Sequence, residues 1–381
     1  MKWLTKIFNR EVKFNDYPKN ISWMLKDDLS PNIKNLKHCK EFHALIGVKQ
    51  SPKWHKEGDV WNHTLAVSKE MFKLISDKSW FLTDYDKKVL MIAALCHDLG
   101  KATTTYFDKN EQDWKCKNHG YASEQITREL IFDQDINTRE EICWLVRWHM
   151  SFHYILQKTH SEQFQEITRL SQGFSTVEKL LILNLADSRG SKSEDNSEDK
   201  INERLKSITE LAMSNKCYIK PFECHRKSPD CNMYVMIGLP GSGKDTYIKK
   251  FLKDLPCICR DDIREEVTDG QVLGRKLMLD GQGEKAVTNI VNERIKNCCI
   301  NKKDFVINQT SLKKKYRLDF KELAFKYANV NVIYVYVEAP SIQECIDRRG
   351  GGKWSDIIKK MWSCFEFPDK SECNKMIIYK Q

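Results

Sequence analysis

The segment that most constrains this chain is Gly238-Leu239-Pro240-Gly241-Ser242-Gly243-Lys244, because of what flanks it. An apolar run at 234–237 precedes it and an amphipathic stretch at 245–253 follows. Between a strand and a helix, glycines let the backbone curl until successive N–H groups face one anion. The helix then presents its positive end, and Lys244 reaches the outer phosphates. Further strand-like runs at 305–308 and 330–337 alternate with helical segments. Strand and helix in alternation imply an α/β domain with a parallel sheet over 233–381. Gly238, Gly241, Ser242, Gly243, Lys244, Asp245 and Thr246 are the expected nucleotide-binding residues.

Asp245 departs from the usual pattern, which has Ser or Thr after the lysine to hold Mg²⁺. Thr246, water or Asp245 itself are the candidates for that task. Past the apolar segment 256–258 comes Cys259-Arg260-Asp261-Asp262-Ile263-Arg264. A carboxylate at the end of the strand after the loop helix lies at the carboxyl edge of the sheet, where it can take a proton from an attacking hydroxyl. Taken alone, the aspartate pair reads equally as a helix N-cap. The run Asp347-Arg348-Arg349-Gly350-Gly351-Gly352-Lys353 has the make-up of a lid, with glycines flanking arginines that neutralise a transferring phosphoryl group. It does not choose between Arg348 and Arg349.

The first half of the chain has a different chemistry. Nine of the ten histidines lie between His38 and His160, and apolar residues at three-to-four spacing predict helices at 61–75, 87–96, 122–132, 139–149 and 176–187. No alternating strand pattern competes with them. The apolar helix ending in His97-Asp98 puts two ligands for a divalent ion at a water-poor position. His63, His119, His149 and Asp187 sit on other helices, and each alone reads more simply as a satisfied polar residue.

In this order, His63, His97-Asp98 and Asp187 resemble the HD-domain metal-dependent phosphohydrolases over about 51–189. The resemblance implies an all-α domain that gathers these residues around one ion. His119 and His149 match the extra histidines of two-metal members, so it leaves room for a second ion, with His153 in reserve. Mn²⁺, Ni²⁺, Co²⁺ or Mg²⁺ all suit such ligands, and Lys101 is placed to neutralise phosphate oxygens. The segment 233–365 in turn resembles phage and bacterial polynucleotide 5'-kinases. Here the signature has one residue fewer between Asp262 and Arg264, and Gln309 stands where that family often has Asp. That resemblance implies ATP with Mg²⁺, Asp261 as general base, and Arg264 on the acceptor phosphate.

Together the halves imply a multi-domain chain with an N-terminal extension at 1–50, an HD-type unit at 51–215, a linker at 216–232 and a P-loop kinase at 233–381. The fused class it resembles heals RNA ends: the hydrolase processes 2',3'-cyclic or terminal 3' phosphates, the kinase phosphorylates 5'-hydroxyl ends, and an RNA ligase acts downstream. RNA or DNA ends are the expected partners, in keeping with the net charge of +10 and the cluster Lys313, Lys314, Lys315, Arg317. Two rivals are an HD nucleotidase fused to a nucleoside kinase, and an ATP-gated RNA-binding sensor. No apolar run is long enough to span a bilayer, and no export signal opens the chain, so cytoplasm and reduced thiols are expected. Cys217, Cys224, His225 and Cys231 fit no common zinc spacing.

Overall fold

The computed structural model describes residues 14–171, 173, 175–193, 197–218, 228–268, 282–369 and 372–380. The chain divides into two units, Met1–Pro221 and Phe222–Gln381.

In the first unit, apolar periodicity resolves into helices that share one core. The central ones are α3 (Val60–Ser76), α4 (Asp84–Cys96), α6 (His119–Leu130), α7 (Ile136–Trp148) and α10 (Val177–Gly190), following the short α1 (Ile33–Lys37) and α2 (Lys40–His43). Their starts are chemically marked. Asp59, Asp135 and Thr176 accept N-cap hydrogen bonds, and Thr83 with Asp86 forms a reciprocal capping box. Helix α4 carries eight consecutive buried residues, Val89 through Cys96, because α3, α7 and α10 cover it on several sides. Trp23, Met24, Leu36, Phe42 and Leu45, all before residue 51, belong to the same core.

One expectation fails here. Residues Thr105–Asp108 (β1) and Asp113–Cys116 (β2) form an antiparallel hairpin inside the helical unit. Four-residue strands are too short for alternation to register, and the polar turn between aromatic runs was their only signal. The short α5 (Lys101–Thr104) and α8 (Ser151–Ile155), with α9 (His160–Ser171) and the 21-residue α11 (Glu198–Tyr218), complete the unit. Cys224, His225 and most of the expected linker lie outside the described residues.

The second unit is a five-stranded parallel sheet in the order β4-β5-β3-β6-β7. Its strands are β3 (Cys231–Ile237), β4 (Cys257–Cys259), β5 (Phe305–Asn308), β6 (Val330–Glu338) and β7 (Lys375–Lys380). Because all run parallel, their carboxyl ends share one edge. The glycine loop between β3 and α12 (Lys244–Phe251), the start of α13 (Arg260–Val267) and Asn308 meet there. Arg317, read from the sequence as part of an exposed basic cluster, is fully buried. It grips Glu372 at 2.7 and 3.1 Å and donates to the carbonyls of Ser311 and Leu312. Among the described residues, no helix is long and apolar enough to cross a membrane.

Candidate functional site

Six residues from five segments meet in the first unit. His63 comes from α3, His97 and Asp98 from the end of α4, His119 from the start of α6, His149 from the end of α7 and Asp187 from α10. All are buried. They form two adjoining groups, His63/His97/Asp187 and Asp98/His119/His149. His63 Nε2 lies 3.0 Å from Asp187 Oδ1 and 3.3 Å from His97 Nε2. His119 Nε2 lies 3.1 Å from His149 Nε2 and 3.4 Å from Asp98 Oδ1. Asp98 stands between the groups, its other oxygen 3.3 Å from His97 Nε2.

The ring tautomers explain why such a cluster wants a cation. Nδ1 of His97, His119 and His149 each faces a backbone carbonyl, of Ala94, Cys116 and Val146, at 2.7–2.9 Å. Nδ1 of His63 faces Glu57 Oε1 at 2.8 Å. A nitrogen beside such an oxygen carries the proton, which leaves the four Nε2 lone pairs pointing at one another and at two carboxylates. Neither buried oxygen of Asp98 accepts a well-directed hydrogen bond, although Lys101 Nζ is 2.7 Å from Oδ2. An ion with nitrogen and oxygen ligands at about 2.1 Å sets those ligands about 3 Å apart, close to the spacing seen. The residues fit a divalent metal.

Electrostatics agree. Burial would raise the carboxyl of Asp98, but His97 and Lys101 outweigh it and hold the group well below the usual range. Asp187 is held down likewise, chiefly by hydrogen bonding to His63, against its burial. Burial pushes His149 down to about 3. Without an ion His63, though also buried, is lifted to about 9 by its bonds to Asp187 and Glu57, so a metal at its Nε2 takes the place of a proton. Lys101 does not hang free: it is pinned by Asp98 and by Gln50 Oε1 at 2.9 Å.

Asp98, His119, His149 and Asp187 of the cluster line a cleft of about 1110 Å³. Its walls carry Trp54, Trp114, Tyr121, Trp148 and Tyr154, together with Lys115, Lys117, Arg147, Lys158 and Arg204. Arg147 stacks on Tyr121 and Trp148, and Arg169 covers Trp148 at 3.8 Å. His153 lines the cleft but joins neither ligand group. Sequence reasoning missed Glu57, Gln50 and the aromatic wall. Glu57 lies six residues before His63, a spacing that carries no recognisable period.

In the second unit the glycine loop has the shape its glycines require. Gly241 and Gly243 have φ of 81° and 94°, and a Cβ on Gly238 would meet Val337 O at 2.6 Å. Lys244 Nζ donates to the carbonyls of Gly238 and Leu239, at 3.0 and 2.8 Å, and its burial pushes it down to about 8. Among the described residues Ser242 Oγ is buried with no hydrogen-bond partner, while Thr246 is exposed on α12. Asp261 is largely exposed and pairs with Arg264, which also binds Glu284 at 2.9 Å. Arg348 reaches the loop, donating to Gly241 O at 3.2 Å, whereas Arg349 packs on Trp354. Gln309 makes no described contact with the loop. Its neighbour Asn308 does, through Asp245, and the sequence reading missed it.

The HD domain family matches residues 60–199 and the AAA domain family matches residues 233–353. The chain is 39% identical over 103 residues to the multifunctional CCA protein of Shewanella frigidimarina, covering 25% of this chain and 21% of that protein. The namesake of Mannheimia succiniciproducens is 24% identical over 156 residues, 39% of this chain and 35% of the relative. This chain therefore spans only about a fifth to a third of the length of these relatives. A solved structure of a candidate kinase from Chloroflexus aurantiacus is similar at a TM-score of 0.33 and 13% identity, over 40% of this chain and 87% of that one. The helical unit with the ligand cluster is thus matched by the HD domain family, and the parallel-sheet unit with the glycine loop that follows it by the AAA domain family.

Proposed function

We propose that this chain heals RNA ends: the HD domain hydrolyses a 2',3'-cyclic or terminal phosphate at the 3' end, and the P-loop domain transfers the γ-phosphate of ATP to a 5'-hydroxyl. The observation that carries the reading is the His/Asp cluster at the floor of an aromatic and basic cleft. Flat rings stack on bases, and lysines and arginines meet the backbone phosphates of a single strand.

His63, His97 and Asp187 would hold one divalent ion and Asp98, His119 and His149 a second; Mn²⁺, Ni²⁺, Co²⁺ and Mg²⁺ all suit this set. Such ions supply Lewis acidity and make water a stronger acid. The protein's own groups do the rest. Glu57 and three carbonyls orient the imidazoles, Lys101 keeps Asp98 ionised, and Arg147 and Arg204 face the substrate phosphates. In the kinase, loop amides and Lys244 hold the ATP phosphates while Asp261 takes the proton of the 5'-hydroxyl. Arg264, already on Asp261, is placed to hold the acceptor phosphate, and Arg348 to neutralise the transferring group. A separate RNA ligase would join the healed ends.

The test is a 5'-hydroxyl, 2',3'-cyclic-phosphate RNA incubated with ATP and divalent metal. Lys244→Ala should abolish only 5' phosphorylation, and Asp98→Ala only 3'-end processing. Loss of both reactions from either change refutes two separate sites. Affinity for oligonucleotides should fall steeply with salt. A flat dependence, with mononucleotides turned over equally well, would favour an HD nucleotidase fused to a nucleoside kinase.

A further inference from the structure

P-loop proteins hold the nucleotide's divalent cation with two groups: a hydroxyl on the residue after the loop lysine and a carboxylate at the end of a nearby strand. In this chain the residue after Lys244 is Asp245, and β5, the parallel neighbour of β3, ends on the amide Asn308. The two side chains touch. Asn308 Nδ2 donates to Asp245 Oδ1 at 2.8 Å.

We propose that the two positions have exchanged chemistries, so that Asp245 is the carboxylate that holds the nucleotide's Mg²⁺ and Asn308 is the residue that orients it. The inference rests on the nucleotide-binding half of the proposed function and not on the identity of the acceptor. Three observations support it. The pair keeps one negative charge, as a hydroxyl and a carboxylate do, with the charge moved to the loop side. The amide restrains one oxygen of Asp245, and Oδ2 has no hydrogen-bond partner among the described residues. Two neighbouring carboxylates are engaged in ion pairs, since Asp261 pairs with Arg264 and Glu284 with Arg260 and Arg264. Asp245 has no such ion pair among the described residues, because the Lys244 ammonium is turned onto the carbonyls of Gly238 and Leu239. A carboxylate with an available oxygen, on the first turn of the loop helix, suits a hard cation that also touches phosphate oxygens.

The test uses the full chain and ATP without any acceptor, and reads the Mg²⁺ concentration that gives half-maximal ATP binding by calorimetry. Asp245→Thr should raise that concentration about tenfold or more, the range expected when a metal's oxygen partner is lost. Asp245→Thr combined with Asn308→Asp, which restores a hydroxyl and a strand-end carboxylate, should return it to within about threefold of the parent. Asp245→Asn, of the same shape without the charge, should match Asp245→Thr. It guards against misfolding as the cause, as does an unchanged melting temperature. An unchanged Mg²⁺ requirement in Asp245→Asn overturns the proposal, and so does a double variant no better than Asp245→Thr. Failure of the nucleotide reading itself looks different: the parent protein would bind no ATP at any Mg²⁺ concentration.

Discussion

Replacing Gly100 with alanine tests how tightly the metal cluster depends on one close approach. Gly100 sits between the His97-Asp98 pair and α5 with φ of −67°, so alanine suits its backbone and only space is at issue. A Cβ there would lie 2.4 Å from the carbonyl oxygen of His119, 2.5 Å from the Ser123 nitrogen and 2.7 Å from Ala122 Cβ. Two of these atoms are backbone, so the first turn of α6 has to retreat. Overpacking costs about 1–3 kcal/mol, and a backbone obstacle belongs at the upper end, about 3 kcal/mol. For a unit of this size that is a drop in Tm of roughly 6–12 °C. His119 moves with the turn, drawing its ring from Asp98, and metal affinity should fall about tenfold or more. Heat unfolding and a Mn²⁺ titration measure both effects. Ser123→Ala provides the comparison, since it removes only the 2.8 Å hydrogen bond from Gly100 N. It should cost about 1 kcal/mol and leave metal binding alone. A Gly100→Ala protein with the parent's Tm and metal affinity would refute the reasoning.

Arg317→Ala should destabilise the second unit by about 3–5 kcal/mol, because it strands Glu372 at 0% exposure, while oligonucleotide affinity stays unchanged. Lost affinity with full stability, measured by urea unfolding and by RNA titration, would return Arg317 to the surface cluster. ATP affinity should be highest below about pH 8 and weaken above it, because burial has pushed Lys244 down to about 8 and phosphates favour its charged form. The sign for stability is opposite. The unfolded lysine keeps its proton to about pH 10.4, so its burial cost without nucleotide is full below about pH 8 and relieved between those values. Calorimetry from pH 7 to 9.5 checks the affinity; a flat profile, or an identical one in Lys244→Met, counts against it.

Local signals carried much of this reading. The glycine loop was legible because each element of its chemistry is contiguous: strand, turn, lysine, helix. Most helices of the HD domain were legible because burial on one face imposes a 3.6-residue period, whereas α4, covered on several sides, shows as a continuous apolar run. The β1–β2 hairpin was not, since four residues give no period, and Arg317 was not, since charge in a sequence says nothing of burial. Asn308 was missed by one position. Strand alternation decides which of two neighbours faces the loop, and that register is set by pairing with β3 and β4.

The sequence alone determined which chemistries were present: imidazoles and carboxylates early, a phosphate-cradling loop late, and a parallel sheet to support it. Only the tertiary structure decided which of those groups act together. Distances between His63, Asp98, His149 and Asp187 depend on how α3, α4, α7 and α10 pack, and packing is a property of side-chain volumes across helices far apart in the chain. The same holds for Asp245 and Asn308, sixty-three residues apart and joined by one hydrogen bond. Periodicity and motif spacing report on near neighbours, whereas a ligand cluster is made by contacts between distant ones.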